Sequence, residues 1–293
     1  MAALSPEALA TAQGSTTWWK AAPWAVLALC IILAYTGLSL AVSLGWQQEA
    51  WSQIQGKPWQ GISGAHWFGT NALGQDIFAR AMVGSRTSFV LGVQVMLTTL
   101  MLGTGLGVIA GLQAQRGLDR AVLWLAAVVD AIPFYLLAIA VAFAFRGQFY
   151  AVPAALSLAF WPGVARLVRA DVIRLERTDY IAAARMAGAT SWQIARRHIV
   201  PNTMPLLLIQ SAIVFVGAIK AEVVLSFIGL GTQEHQISWG TMLAEGSQEV
   251  VRGYWLNFLA ASLLLSLMIL SLNVLVDSLQ TLLDPRQRQR LEY

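Results

Sequence analysis

The sequence predicts an all-α protein that is embedded in a membrane and crosses it with about six helices. Hydrophobic residues make up 57% of the chain and charged residues only 12%, which is too little polar surface for a water-soluble domain of 293 residues. Several stretches also reach the ~20 apolar residues that a helix needs to cross the hydrocarbon core of a bilayer. A polytopic membrane protein is therefore expected.

The predicted spans follow one another along the whole chain. The first comes after a polar segment that ends at Lys20, and its uncharged stretch is longer than the apolar core of a cleaved signal peptide, which is the alternative for this region. The fourth contains Pro153 and Pro162 and is expected to be broken by them. The six predicted spans cover residues 24–44, 87–112, 121–145, 150–168, 204–230 and 256–279.

Residues 45–85 are predicted to lie at or above the membrane surface. Four tryptophans stand among polar residues and glycines in this segment, and tryptophan is enriched where proteins meet lipid headgroups. Asp76 is suited to cap a helix that starts near Ile77. In the second span, four glycines predict close packing between helices: Gly103, Gly105, Gly107 and Gly111.

The distribution of positive charge predicts the orientation, because Lys and Arg are retained on the cytoplasmic side of a membrane. With the amino terminus inside, thirteen of them fall in cytoplasmic segments and five in outer segments, and Lys220 lies within a span. Both termini are therefore predicted to be cytoplasmic. The outer residues are Lys57, Arg80, Arg86, Arg146 and Arg252.

Residues 177–201, between the fourth and fifth spans, are predicted to form a short helix, a turn and a second helix. The alanines at 182–184 favour the first helix, and Gly188 can end it in a left-handed conformation. Thr190 or Ser191 can then cap the second helix.

The second of these helices is predicted to have an apolar side, opposite its arginines, that is formed by Trp192, Ile194 and Ala195. Such a segment is suited to dock into a groove on a soluble partner and to transmit the partner's motion. The alternative is a basic loop that only fixes the orientation of the chain.

No catalytic or metal-binding pattern accompanies these features. The chain has no phosphate-binding Gly-x-x-x-x-Gly-Lys-Ser/Thr loop, so ATP hydrolysis by that chemistry is not expected. The three histidines are scattered over separate segments and Cys30 is the only cysteine, so neither a metal site nor a cofactor is predicted. A membrane-embedded enzyme, the alternative, would need paired catalytic groups, whereas Asp130, Glu222 and Asp277 lie on separate spans.

The segment 177–201 resembles the EAA loop of ABC importer permeases, in which an alanine pair, a glycine and a later proline contact the ATPase subunit. Ala183, Ala184, Gly188 and Pro201 fall on this pattern. Ala182 stands where the motif usually carries glutamate, so the resemblance implies a salt bridge that is missing or replaced here. The residues that it implies in ATPase coupling are Ala182, Ala183, Ala184, Arg185, Gly188, Ala189, Trp192 and Pro201.

Other segments resemble the second, C-type permease subunit of dipeptide and oligopeptide importers. The resemblance departs from the family at Gln75, where arginine is common, at Lys220, which occupies a usually apolar place, and in a short loop at 146–150. The matching segments are residues 66–80 with 84–86, 221–231, 238–243, 272–277 and 284–286.

The resemblance implies a non-catalytic transport subunit with the type I ABC importer permease fold in a bacterial inner membrane. Residues 1–85 would form a cytoplasmic amino terminus, a first transmembrane helix and a periplasmic segment, and residues 86–293 a five-helix permease core. The implied partners are a second homologous permease subunit, separate cytoplasmic ATP-binding subunits and a periplasmic or lipid-anchored substrate-binding protein, and no nucleic acid. Di- or oligopeptides are the expected cargo; nickel chelates, oligosaccharides and antimicrobial peptides are alternatives, as is a channel subunit outside the ABC class.

Two charged residues of the fifth span are candidates for the translocation path. Lys220 and Glu222 precede the resembling segment that ends at Gly231, which suggests a position near the outer end of the path. The alternative is an ion pair or a hydrogen bond between helices, because intramembrane charges are often satisfied internally.

Overall fold

The computed structural model describes residues 23–47, 49–231 and 236–283, with side chains described as far as residue 281. Lys20, His235 and the arginines after residue 283 lie outside these residues. The described part contains ten α-helices and one π-helical turn, Ala195–Ile199. The helices are α1 (Pro23–Ser43), α2 (Ile77–Leu112), α3 (Gly117–Ala131), α4 (Phe134–Ala144), α5 (Ala151–Glu176), α6 (Asp179–Met186), α7 (Ser191–Ile194), α8 (Val200–Phe227), α9 (Trp239–Val251) and α10 (Leu256–Leu283).

The expectation of about six membrane-crossing helices is confirmed. Five helical stretches are long and apolar enough to cross a bilayer, and α3 and α4 together make a sixth if the bent pair is one span. In the part of the chain that the structure describes, the only β pairings are two isolated bridges in the segment between α1 and α2. The five stretches are Pro23–Ser43, Ile77–Leu112, Ala151–Glu176, Ser191–Phe227 and Leu256–Thr281.

The third span differs from the expected continuous helix at 121–145. It is broken into α3 and α4, whose axes meet at 90°. Ile132 between them is extended, with φ −89° and ψ 127°. The residue before a proline is disfavoured in the helical region, and Pro133 has no N–H to donate, so the bend follows from the Ile132-Pro133 pair.

The fourth span shows the opposite difference, because its prolines do not break it. α5 is continuous over 26 residues. Pro153 lies in the first turn, where an N–H has no acceptor within the helix. Pro162 lies inside the helix and is buried there, and the helix continues through it.

α2 packs along α5 through a stripe of small residues. A Cβ atom added at Gly103, Gly107 or Gly111 would lie 2.6–2.8 Å from side-chain carbons of valines on α5. Gly105, on another face, has nothing within 4 Å. Three of the four glycines therefore serve the close packing that the sequence predicted. The opposing valines are Val164, Val168 and Val172.

The start of α2 is fixed as the sequence predicted, although it lies ten residues earlier than the predicted span. The Asp76 carboxylate accepts a hydrogen bond from the backbone N–H of Ala79 at 2.9 Å. The same carboxylate contacts the His66 ring at 2.8 Å. Asp76 thus caps the helix and ties it to the preceding segment.

α9 is a helix that the sequence patterns did not predict. Ser238 caps it in a reciprocal pair with Thr241, whose hydroxyl accepts the Ser238 N–H at 2.9 Å. The helix then contacts the segment between α1 and α2, where Glu249 accepts the N–H of Ala72 at 2.8 Å. Glu245 of the same helix pairs with the buried Arg80 in the first turn of α2. These contacts join α9 and the segment between α1 and α2 into one layer.

Gln75, the departure from the family's usual arginine, lies inside this layer. Its side-chain oxygen accepts a hydrogen bond from Arg80, and its amide nitrogen donates to the carbonyl of Ser52 at 3.1 Å. An arginine at position 75 would place a second positive charge beside Arg80, and the two would repel each other. The neutral amide instead satisfies both neighbours.

Candidate functional site

The turn after α6 has the geometry that the sequence predicted. Gly188 has φ +84°, in the left-handed region that favours glycine. Its N–H donates to the carbonyl of Arg185 at 2.9 Å, and the N–H of Ala189 donates to the carbonyl of Ala184 at 3.0 Å. This pair of bonds is the Schellman motif, and it satisfies carbonyls that the helix end would otherwise leave free.

The second helix of the segment is capped by Thr190 and does not end before the next span. The side-chain oxygen of Gln193 accepts the Thr190 N–H at 2.8 Å, and the Thr190 hydroxyl accepts the Gln193 N–H at 3.3 Å. α7 then continues through the π-helical turn into α8, with Pro201 in the first turn of α8. Pro201 has no N–H, so a regular α-helical bond is missing where the segment joins the span.

Three buried isoleucines hold the segment against the rest of the protein. Ile181 on α6, Ile194 on α7 and Ile199 in the π turn are each 0% exposed. They belong to the same apolar cluster as Val172 and Leu175 of α5. The segment 177–201, which we call the coupling segment, is therefore packed against the core through these three side chains.

The outer face of the coupling segment is exposed and partly apolar. Met186 is 85% exposed and Trp192 is 73% exposed. The predicted apolar side was wrong for Trp192, because Ile194 and Ala195 are buried and Trp192 points away from them. Residues two positions apart on a helix differ by about 200° in direction, so Trp192 and Ile194 face opposite directions. The same periodicity, applied from Ile181, would have found Met186, which sequence reasoning missed.

Most of the other predicted coupling residues lie on or beside this face. Ala182, Ala183 and Pro201 are exposed, whereas Ala184 and Ala189 are half-buried around the turn. Arg185 forms an ion pair with Glu176 at the end of α5. In this protein Glu176 thus supplies the acidic partner of Arg185, while Ala182 presents only a methyl group.

The two candidates for the translocation path have different surroundings. Glu222 is 0% exposed, and its Oε1 accepts hydrogen bonds from Ser226 at 2.8 Å and Ser238 at 2.6 Å. A Cβ at Gly240 would lie 2.6 Å from its Oε2. Lys220 is exposed and forms no ion pair with a described residue. Glu222 therefore joins α8 to the start of α9, and Lys220 alone of the two reaches the surface.

The remaining intramembrane acids are not part of this cluster. Asp130 forms an ion pair with Arg166, in which both side chains are roughly half-exposed. Asp277 is exposed on α10. The structure therefore brings none of the three acids Asp130, Glu222 and Asp277 together.

Comparison with known proteins identifies the family. Residues 103–289 match the family described as "Binding-protein-dependent transport system inner membrane component", and the match includes the whole coupling segment. The chain belongs to this family. The predicted resemblance to ABC importer permeases is thereby confirmed for the chain as a whole, and the protein is a multi-pass transmembrane permease subunit.

Individual relatives agree with this assignment. The permease is 34% identical over 227 residues to the dipeptide transport system permease protein DppC of Bacillus subtilis, and the alignment covers 78% of this chain and 71% of the relative. It is 29% identical over 269 residues to the oligopeptide transport system permease protein OppC of Haemophilus influenzae, covering 90% and 85%.

The fold of the permease is also found among solved structures. A chain of the MetNI methionine ABC transporter in inward-facing conformations matches with a TM-score of 0.55 and 20% sequence identity. The match covers 69% of this permease and 95% of that chain. The predicted ABC importer permease fold is confirmed.

Proposed function

We propose that this permease forms part of the translocation path of an ATP-driven importer for di- and oligopeptides. It would pair with a second homologous permease subunit and receive cargo from a periplasmic or lipid-anchored binding protein. Separate ATP-binding subunits would hydrolyse ATP, so the chain itself would catalyse no reaction. The names of the dipeptide and oligopeptide relatives support peptides as cargo.

The observation that carries the proposal is the exposed face of the coupling segment. Met186 and Trp192 are large apolar side chains that a protein rarely leaves in water on adjoining short helices unless a partner covers them. Tryptophan is among the residues that dominate the binding energy of protein interfaces, and methionine is enriched in them. Because the buried isoleucines fix the segment to α5, movement of a bound partner would be passed to the spans rather than lost in a loose loop.

The orientation belongs to the same proposal. Five positive residues in outer segments against thirteen in cytoplasmic ones support cytoplasmic termini. The coupling segment then faces the cytoplasm, where ATP is available to the partner subunits. The extramembrane layer formed by α9 and the segment between α1 and α2 faces the periplasm, from which a binding protein would approach.

Within the path, we assign Lys220 and Glu222 different parts. Lys220 lies about two helical turns before the outer end of α8 and is free to face water in the path. Glu222 would act on the path through α9, which it holds by the Ser238 hydroxyl.

The test is uptake of labelled di- and oligopeptides into proteoliposomes that hold the complete importer, its binding protein and internal or external ATP. Trp192→Ala and Met186→Ala should each abolish most uptake and release the ATPase subunits during purification. Val251→Ala is the matched control, since Val251 is 88% exposed on the opposite extramembrane layer. The control should leave assembly with the ATPase intact.

Three outcomes separate the parts of the proposal. Unchanged uptake in both coupling variants would remove the docking face. An importer that moves no peptide, but whose ATPase responds to another ligand, would keep the transporter class and refute the peptide cargo. Purification without any associated ATPase would refute the class.

A further inference from the structure

A cavity with mixed polar and apolar lining lies at the amino-terminal end of α5, opposite the coupling segment. It has a volume of about 520 Å³, which is within the usual range for small-ligand sites. α2, the turn between α4 and α5, and residues 229–231 after α8 line it. The 26 residues of α5 span ~39 Å, enough to cross a bilayer, so the cavity and the coupling segment lie on opposite sides of the membrane.

The charged side chains among the described lining residues of the cavity are both positive. Among the described residues that line it, Arg86 and Arg146 are charged and none is Asp or Glu. Arg86 donates through Nε to the Ser43 hydroxyl at 2.8 Å, which holds the guanidinium and leaves its two terminal nitrogens for another acceptor. Neither arginine forms an ion pair with a residue that the structure describes. Two such groups around one cavity favour an anion.

A polar stripe on α2 leads from this cavity into the membrane. Gln94 lies eight residues after Arg86 on the same face of the helix, lines the cavity and is exposed. Thr98, one turn further, is also exposed. An amide that faces hydrocarbon is costly, so the exposure of Gln94 deep within a span indicates an aqueous cavity.

We propose that this cavity binds the terminal carboxylate of the transported peptide, with Arg86 and Arg146 as its ligands. The inference rests on the proposed function and deepens it. Every unmodified peptide ends in a carboxylate whatever its sequence, so an arginine pair can recognise diverse cargo at one common group. Paired guanidinium groups suit this role because each can bind a carboxylate through two parallel hydrogen bonds.

The positions of the two arginines also support the proposal. Both belong to the outer segments, which keep only five positive residues. Of these five, Arg80 is already paired with Glu245. Positive residues on the outer side act against the orientation of the chain, so two of them at one cavity, on separate elements, indicate a local purpose.

The first test compares a labelled peptide with its carboxy-terminal amide in ATP-dependent uptake by the complete importer and its binding protein. Arg86→Gln and Arg146→Gln should each slow uptake of the free acid about tenfold, equivalent to ~1.4 kcal/mol, without slowing the amide. Arg146→Lys should retain part of the preference. Lys57→Gln, which removes an exposed positive charge from the same side, is the control and should change neither rate.

A second measurement needs no binding protein. In a Cys30→Ser background, Gln94→Cys places a thiol in the cavity of the purified importer, and its maleimide labelling can be followed. The free-acid peptide should slow the labelling more than the amide does. Addition of Arg146→Gln should remove the difference.

Each remaining outcome is decisive. Equal loss of acid and amide uptake in the arginine variants, or equal protection of the thiol by both peptides, would overturn the carboxylate site while leaving peptide transport intact. If phosphate-bearing lipid slowed the labelling of the thiol at position 94 and the free-acid peptide did not, the arginines would bind lipid headgroups, and the carboxylate site would be overturned as well. A wild-type importer that takes up neither peptide would refute the proposed function together with this inference.

Discussion

Replacing Gly107 by alanine should separate α2 from α5 at the centre of their contact. The new Cβ atom would lie 2.7 Å from the carbonyl oxygen of Ala165 and 2.8 Å from the Cβ of Val168. Ordinary contact begins at 3.4 Å, so the helices must move apart by ~0.7 Å, the difference between 3.4 and 2.7 Å. The nearest atoms are backbone and a branched side chain, and neither can rotate away.

The size of the effect follows from the packing and from a control on the same helix. Overpacking of this kind costs about 1–3 kcal/mol. Gly105→Ala adds the same methyl group where nothing lies within 4 Å, and it should stabilise α2 by about 0.5–1 kcal/mol through reduced backbone freedom. Gly107→Ala gains the same backbone term, so the two variants should differ by the overpacking cost alone, about 1–3 kcal/mol, in their free energy of unfolding.

The assay is reversible unfolding of the purified permease in mixed detergent micelles, followed by tryptophan fluorescence. Equal unfolding free energies for Gly107→Ala and Gly105→Ala would refute the close approach of the two helices. A loss for Gly105→Ala alone would show that the glycine stripe faces elsewhere.

The remaining predictions concern the turn, the buried acid and an ion pair between helices. Gly188→Asn should keep most peptide uptake, whereas Gly188→Val should lose it, because a left-handed L-residue costs about 1–2 kcal/mol and asparagine tolerates that conformation best; equal uptake by both would contradict this. Glu222→Ala should lower the free energy of unfolding by about 2–3 kcal/mol, because two hydrogen bonds from serines are lost. Lys220→Met should lower it by less than ~0.5 kcal/mol. Similar losses in the two variants would contradict the separate roles of these residues. Asp119 accepts two hydrogen bonds from Arg169 at 2.5 and 2.7 Å, and a double-mutant cycle with Asp119→Asn and Arg169→Gln should give a coupling above ~1 kcal/mol, which additive losses would exclude.

The features that the sequence predicted well are those decided by neighbouring residues. Asp76 caps α2, Gly188 takes the left-handed turn, and Thr190 caps α7, because each depends on a backbone conformation within three or four residues. The apolar runs likewise predicted the spans, since the bilayer thickness fixes their length.

The features that the sequence predicted poorly depend on packing at a distance. Pro133 bends its span by 90°, whereas Pro162 leaves α5 continuous, and the same residue type gives both results. α9 is stabilised by contacts with the segment before α2, more than 150 residues away in the chain. The cavity likewise combines Arg86 of α2 with Arg146 in the turn between α4 and α5, 60 residues later in the chain, so no local pattern could reveal it.

The coupling segment is joined to its two neighbouring spans in different ways, and this asymmetry suggests how force would pass through the permease. Its buried isoleucines share an apolar cluster with the end of α5, so the segment packs directly against α5. Towards α8 the connection is a π-helical turn followed by Pro201 and Pro205, each of which removes a helical hydrogen bond. Bending is therefore easier at the start of α8 than at the end of α5. A push on the coupling segment would travel along α5, carry α2 with it through the glycine stripe, and reach the arginine-lined cavity at the other end.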